Sequence, residues 1–204
     1  MEKTEMKKPK VDINHLGDKD YKRKVEWTED KQEHSRVATL RDPGYEVAMQ
    51  IRSKANIGNN ESDNGEMVNM LLENVLVSPR LAFEDLDNRL SKKFKEKTVT
   101  LDGKHNSKVT IKMIFPGYRA ALNYSSDIHG INGSDNYLPI LTDMNKTVFR
   151  DSSTGKPIDM EFWSEHGGGV KAVQKAVNYF NDVLNHDGFT ATVNTLVTFL
   201  GECL

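Results

Sequence analysis

The residues best placed to do chemistry are Glu165, His166, Gly167, Gly168 and Gly169, which stand directly before a long amphipathic segment. Glycines ahead of a helix let successive backbone N–H groups cradle an anion at the helix N-terminus, so this run invites a phosphate-loop interpretation. The pattern goes no further: no Gly-Lys-Ser/Thr follows and no clear buried strand precedes it, and a flexible linker or helix start suits the glycines better. Asp127 to Asp135 gathers oxygen ligands in a glycine-bearing loop, but a calcium loop requires a bidentate Glu at its twelfth position, and Leu138 stands there. His15, His34, His105, His129, His166 and His186 have no paired helical spacing and no cysteine partners, which argues against zinc. There is no Gly-x-Ser-x-Gly elbow and no plausible cysteine nucleophile. Glu84 and Asp85 are neighbours on a helix and point apart, which suits solvation better than acid–base work. These residues give no reason to expect an enzyme, a metal site or a cofactor.

Composition narrows the alternatives. The 204 residues suffice for a genuine core in one large domain or two small ones, with 37% hydrophobic, 28% charged and 8% aromatic residues. A formal net charge of -2 supplies no global field for phosphate backbones or anionic membrane, so nucleic-acid binding would need a local basic patch. The nearest is Ser91 to Lys97, whose lysines fit the solvated side of a helix. Cys203 is the single cysteine and cannot close an intrachain disulfide, which fits a reducing cytosol. Met1 to Lys10 is charged and no apolar stretch follows it, so neither a secretory signal nor a membrane anchor is expected. On that basis the Asn-x-Ser/Thr tripeptides at Asn60, Asn123, Asn132 and Asn145 are taken as coincidence.

The elements that would position these residues are written twice. Pro43-Gly44-Tyr45, Ala48 and the Gly58 to Asn64 loop match Pro116-Gly117-Tyr118, Ala121 and the Gly130 to Asn136 loop, and Ser35-Arg36-Val37 matches Ser107-Lys108-Val109 upstream. Such self-similarity indicates an internal duplication. Lys24 to Thr28 alternates apolar with polar as a half-buried strand does, Glu29 to His34 turns it, and Ser35 to Leu40 returns. In the second copy, Thr98 to Leu101 and Val109 to Met113 are richer in β-branched residues and are joined through Asp102-Gly103. A proline then ends each hairpin and opens a short helix, with Tyr45, Ala48 and Met49, or Tyr118, Ala121 and Leu122, on its core-facing stripe.

Downstream, Met67, Val68, Leu71, Leu72 and Val75 form the buried stripe of a helix from about Asn64, with Val75 to Ser78 an extended exit before Pro79. Phe83, Leu86, Leu90 and Phe94 predict a further helix over Leu81 to Lys95. In copy two Pro139 admits a helix only near its start, Asp151 to Pro157 is a loop, and Met160, Phe162 and Trp163 are a buried anchor. Val170, Val173, Ala176, Val177, Phe180, Val183 and Leu184 mark a long helix capped by Gly188, and Phe189 to Leu200 folds back as a last one. The expected fold class is therefore α+β: two tandem units, each a β-hairpin followed by helices, with a helical hairpin at the C-terminus. A mostly α fold is the alternative. The boundaries are 1–23 for a disordered charged tail, 24–96 for the first unit and 97–204 for the second.

The order of a hairpin, the Pro-led helix Asp42 to Met49, an Asn-rich loop and then Met70 to Pro79 resembles the tail assembly chaperones of siphophages of Gram-positive hosts, most specifically in Leu72-Glu73-Asn74-Val75-Leu76-Val77-Ser78-Pro79. It covers about a third of the chain directly, and the second copy lacks the Glu-Asn-Val-x-Val-x-Pro signature. The resemblance implies a non-enzymatic factor of the host cytoplasm. It would bind the tape-measure protein, recruit tail tube subunits, act as a homo-oligomer and leave no part in the mature virion. Candidate contact residues are Val75, Leu76 and Val77 in the signature and Leu196, Phe199 and Leu200 in the last helix. The rival function is a small phage or bacterial nucleic-acid-binding or regulatory interaction protein.

Overall fold

The computed structural model describes residues 19–56, 62–128 and 136–204. Strand β1 (Asp20–Glu29) starts four residues ahead of the predicted alternation, so Asp20 to Arg23 belong to a sheet and not to a disordered tail. The charged lead-in is held there by a C-terminal partner: Tyr21 packs on Phe199 with ring centroids 5.3 Å apart, and Arg23 Nη2 donates to Glu202 Oε2 at 2.7 Å. β2 (Gln32–Arg41) pairs antiparallel with β1 from Glu29↔Gln32 onward. The turn is shorter than expected, only Asp30 (φ 51) and Lys31 (φ 65), and both adopt the left-handed conformation of a tight hairpin turn although neither is glycine.

Helices α1 (Tyr45–Ser53) and α2 (Asn64–Asn74) follow, and β3 (Leu76–Ser78) closes a three-stranded sheet of order β1-β2-β3. Two helices come next, α3 (Phe83–Arg89) and α4 (Lys92–Lys95), where one continuous helix was predicted. The chain leaves helical geometry at Leu90 (ψ 124) because distant groups claim its end. Tyr179 Oη donates to the Phe94 carbonyl at 2.6 Å, and Phe115 N–H donates to the Lys95 carbonyl at 2.9 Å.

The second unit repeats the first: β4 (Glu96–Asp102), β5 (Lys108–Ile114), α5 (Tyr118–Asp127), α6 (Tyr137–Thr147) and β6 (Phe149–Asp151), with sheet order β4-β5-β6. Equivalent positions stand 73 residues apart. Gly44 (φ 78) and Gly117 (φ 94) are the N-caps, and their carbonyls accept from Ala48 and Ala121 N–H, each at 2.9 Å. Arg41 N–H donates to the Val75 carbonyl at 2.8 Å, and Ile114 N–H to the Val148 carbonyl at 3.0 Å. The helices thus begin two residues after Pro43 and Pro116. Both glycines are required by their positive φ; a Cβ on Gly44 would meet nothing within 4 Å, whereas one on Gly117 would also stand 3.0 Å from the Asp87 carboxylate. The correspondence also runs beyond the sequence match, because α6 and β6 reproduce α2 and β3 with scarcely an identical residue. Pro139 is tolerated as the third residue of α6, where its missing N–H has no intrahelical partner to lose.

α7 (Met160–His166), α8 (Gly169–Asn185) and α9 (Phe189–Glu202) complete the chain. Asp159 caps α7 by accepting from Phe162 N–H at 2.9 Å. Of the expected anchor only Trp163 is buried, its Nε1 donating to Asn145 Oδ1 at 2.8 Å, while Met160 is exposed and Phe162 partly covered. The stripe on α8 is buried from Val173 onward, but Val170 faces outward. Gly188 (φ 65) is not the C-terminal cap of α8. Asp187 (φ 52) takes the left-handed position after that helix, and Gly188 serves as N-cap of α9 beneath the Trp27 ring, where a Cβ would stand 2.5 Å from the indole. α9 packs on α8 and also on β1 and α2, so the last element of the chain covers the first unit, and buried residues of both units form one hydrophobic cluster.

Candidate interaction surfaces

Of the six contact residues expected from sequence, Val75, Leu76, Leu196, Phe199 and Leu200 are buried in the protein's own core. The physical reason is the return of α9 onto β1 and α2, which turns its apolar stripe inward, while Val75 at the end of α2 and Leu76 of β3, paired with Leu40 of β2, belong to the same core. Their side chains are therefore not available to a partner in this conformation. Val77 is the exception: it lines an open cleft of about 410 Å³ between β3 and α3. Arg41, Arg80, Glu73 and Asp85 ring this cleft over a floor that includes Leu76 and Leu81, so it combines a small apolar base with a rim of both signs.

The outward apolar residues lie elsewhere. Val37, Tyr45, Met49, Leu138 and Val197 are all exposed, with Tyr45 at 66% and Leu138 at 64%. Tyr45 and Met49 were expected to face the core; on α1 it is Ala48 and Ile51 that are buried there, with Val47 packed partly against it. Their equivalents in the second unit meet a different environment. Tyr118 is buried between Phe115 and Phe189, with centroids 5.5 and 5.0 Å away, and burial pushes its phenol up to about 12.

The α5 face is covered because the first unit docks on it. Gly65 N–H, at the start of α2, donates to Asn123 Oδ1 at 2.7 Å, Arg119 Nη2 donates to Glu66 Oε2 at 2.8 Å, and Asn123 Nδ2 donates to Asp63 Oδ1 at 3.3 Å. Gly65 permits this approach, since a Cβ there would lie 2.8 Å from the Arg119 carbonyl oxygen. Asp87 adds a contact from α3, accepting from Tyr118 N–H at 3.0 Å, and burial raises its carboxyl above the usual range.

The glycine run ahead of α8 is accounted for by close packing. A Cβ on Gly103 would lie 2.5 Å from the His166 carbonyl oxygen, one on Gly167 2.9 Å from the Lys104 side chain, and one on Gly169 2.8 Å from Leu141. The loop is thereby clamped to the β4–β5 turn, which Lys104 Nζ reinforces by donating to the Ser164 carbonyl. The histidines within the described residues stay scattered; His186 pairs with Glu29 and ties the tip of the first hairpin to the α8–α9 turn. Burial would raise the Glu29 carboxyl, but the hydrogen bonds from His186 and Asp187 N–H outweigh it and the net direction is down. The Cys203 thiol is pushed up to about 11 by burial and by the neighbouring Asp42. Among the described residues no group of three or more His, Cys, Asp or Glu could hold a metal ion, and no helix is long and apolar enough to cross a membrane. Asn145, one of the Asn-x-Ser/Thr positions, is buried against Trp163. Most of the Asp127 to Asp135 loop lies outside the described residues.

The fold and these surfaces define an α+β protein of two like units stapled together by its C-terminal helix. Comparison with known proteins finds no matching family, no matching curated protein and no matching solved structure.

Proposed function

We propose that this protein is a non-enzymatic tail assembly chaperone of a siphophage, which binds the tape-measure protein in the host cytoplasm and recruits tail tube subunits without entering the virion. The observation that supports this is a small strand-pair-and-helix unit occurring twice in one chain, with apolar side chains left on its outward faces at Val37, Tyr45, Met49 and Leu138. A long helical client is best held by many weak apolar contacts repeated along its length, since linked sites gain avidity without any single tight pocket. The signature Leu72 to Pro79 that carries the resemblance has a structural part in this scheme: it ends α2, supplies β3 and lines the cleft, with Val77 its least buried apolar side chain there. Client contact is therefore assigned to the Val77 cleft and to the exposed face of α1, in place of the residues that α9 buries.

The test is co-expression with a tape-measure protein from a siphophage of a Gram-positive host. Soluble client that co-purifies with this chain, and is lost when Val77 is replaced by Asp, supports the proposal. A client equally insoluble with and without the chain, with no complex recovered, overturns it.

A further inference from the structure

We infer that the cleft between the end of α3 and the α8–α9 turn is a binding site for a small carboxylate carried on an apolar body. The cleft holds about 280 Å³, near the lower end of the range for small-molecule sites, and residues of both units line it. Two of them are arginines whose charge the protein leaves unmatched. Arg36 Nη2 donates to the Gly188 carbonyl at 3.1 Å and to Thr192 Oγ1 at 2.5 Å, both neutral acceptors, and its guanidinium carbon lies 5.2 Å from the centre of the Trp27 ring. Its Nε is buried with no hydrogen-bond partner. Arg89, the last residue of α3, has neither an ion pair nor a hydrogen bond from its side chain among the described residues. Asp187 is the one acidic residue on the wall and pairs with neither arginine, so two guanidinium groups face a single carboxylate. An arginine withdrawn from water is stabilised by an anion, and a carboxylate supplies the charge-assisted hydrogen bonds that suit its planar fork.

The rest of the wall defines the rest of the ligand. Leu86, Leu90 and Phe189 form an apolar side, which a bare inorganic anion would leave uncovered and a short carbon skeleton would bury. Tyr118 also lines the cleft, and its hydroxyl makes no hydrogen bond among the described residues. Burial pushes that phenol up to about 12, so it keeps its proton at neutral pH and remains a donor. At the ~30 Å³ that a water molecule occupies in the liquid, the cleft accommodates on the order of ten non-hydrogen atoms. Arg36 is already fixed by its bonds to Gly188 and Thr192, so little freedom is lost when a ligand arrives. This inference goes beyond the proposed chaperone role and does not rest on it: the cleft shares only Leu81 with the one at Val77.

The test is a titration of the isotope-labelled full chain, followed by the amide signals of Gly188 and Phe189 and the indole signal of Trp27. N-acetyl-leucine presents the carboxylate as a peptide C-terminus does, and octanoate presents it as a free organic acid. Saturable shifts are expected with a dissociation constant on the order of 1 mM or tighter, and the tighter of the two acids identifies the source. N-acetyl-leucine amide, which lacks the carboxylate, and acetate, which lacks the apolar body, are each expected to bind more than about tenfold more weakly than the acid they imitate. Arg89→Gln breaks no contact within the chain and is expected to weaken binding by about tenfold, and Arg36→Gln by at least as much. Circular dichroism checks that both variants fold; should Arg36→Gln be unfolded, Arg89→Gln and the amide comparison decide. No saturable shift with either acid up to about 10 mM, an amide that binds as tightly as its acid, acetate that matches octanoate, or folded arginine variants that bind like wild type overturns the proposal.

Discussion

At the residue scale, single side chains act here as fasteners. Asp151 shows this at the end of β6, where its carboxylate accepts from the N–H and hydroxyl groups of both Ser153 and Thr154. These bonds, the Ser153 hydroxyl foremost, hold the carboxyl down to about 2. Because the folded value lies below the unfolded one, the stabilisation is fully present above the ordinary carboxylate range and is lost as pH falls through about 2. Acid titration curves of wild type and Asp151→Asn should therefore converge as pH falls from about 4 to 2, with the variant less stable above that window and its stability falling less steeply within it. Urea midpoints collected across that range make the comparison. Asn145 is a second fastener, and its position inside a glycosylation tripeptide gave no hint that it would be buried as the partner of the Trp163 indole.

At the element scale, two glycines separate conformational from packing demands. Gly44 and Gly188 both have positive φ, but a Cβ on Gly44 meets open space while one on Gly188 meets the Trp27 ring at 2.5 Å. Gly44→Ala should cost only the backbone penalty of its φ 78, ψ 153 conformation, which is essentially confined to glycine, about 1–3 kcal/mol. Gly188→Ala, at about 1–2 kcal/mol for its left-handed backbone, adds overpacking of about 1–3 kcal/mol against the Trp27 indole, for a total of about 2–5 kcal/mol. Thermal unfolding resolves the two, since a chain of this size shifts by about 2–4 °C per kcal/mol; a Gly188→Ala loss no larger than its backbone penalty would refute the packing role of Gly188. The hairpins, α2, β3 and α8 were legible in the sequence because period-2 and period-3.6 patterns are local. The break at Leu90 and the start of β1 at Asp20 were not, because the partners that hold them, Tyr179 and Phe199, lie far along the chain.

At the scale of the whole molecule, the return of α9 to β1 and α2 makes two similar units interdependent. The first unit has its sheet covered by the last helix and its α2 docked on the second unit, so neither should unfold alone. Each half carries one tryptophan, Trp27 in β1 and Trp163 in α7. Fluorescence of Trp163→Phe and Trp27→Phe should thus report coincident urea transitions, after allowance for each variant's own stability, as a two-state chain requires. Separate midpoints within one variant, by fluorescence and far-ultraviolet circular dichroism, would show that the units fold independently.

What the sequence determined by itself was the repeated order of strand pair, proline-led short helix and polar loop, because turn chemistry and hydrophobic period act over a few residues. What only the tertiary structure decided was which copy of a repeated face is used. Pro-Gly-Tyr is written identically at 43–45 and 116–118, yet Tyr118 is buried under Phe189 and Tyr45 is left in solvent. Local sequence can specify that a helix has an apolar stripe, but burial depends on what the rest of the chain brings against it, and here α2, α3 and α9 reach α5 while α1 keeps an open face.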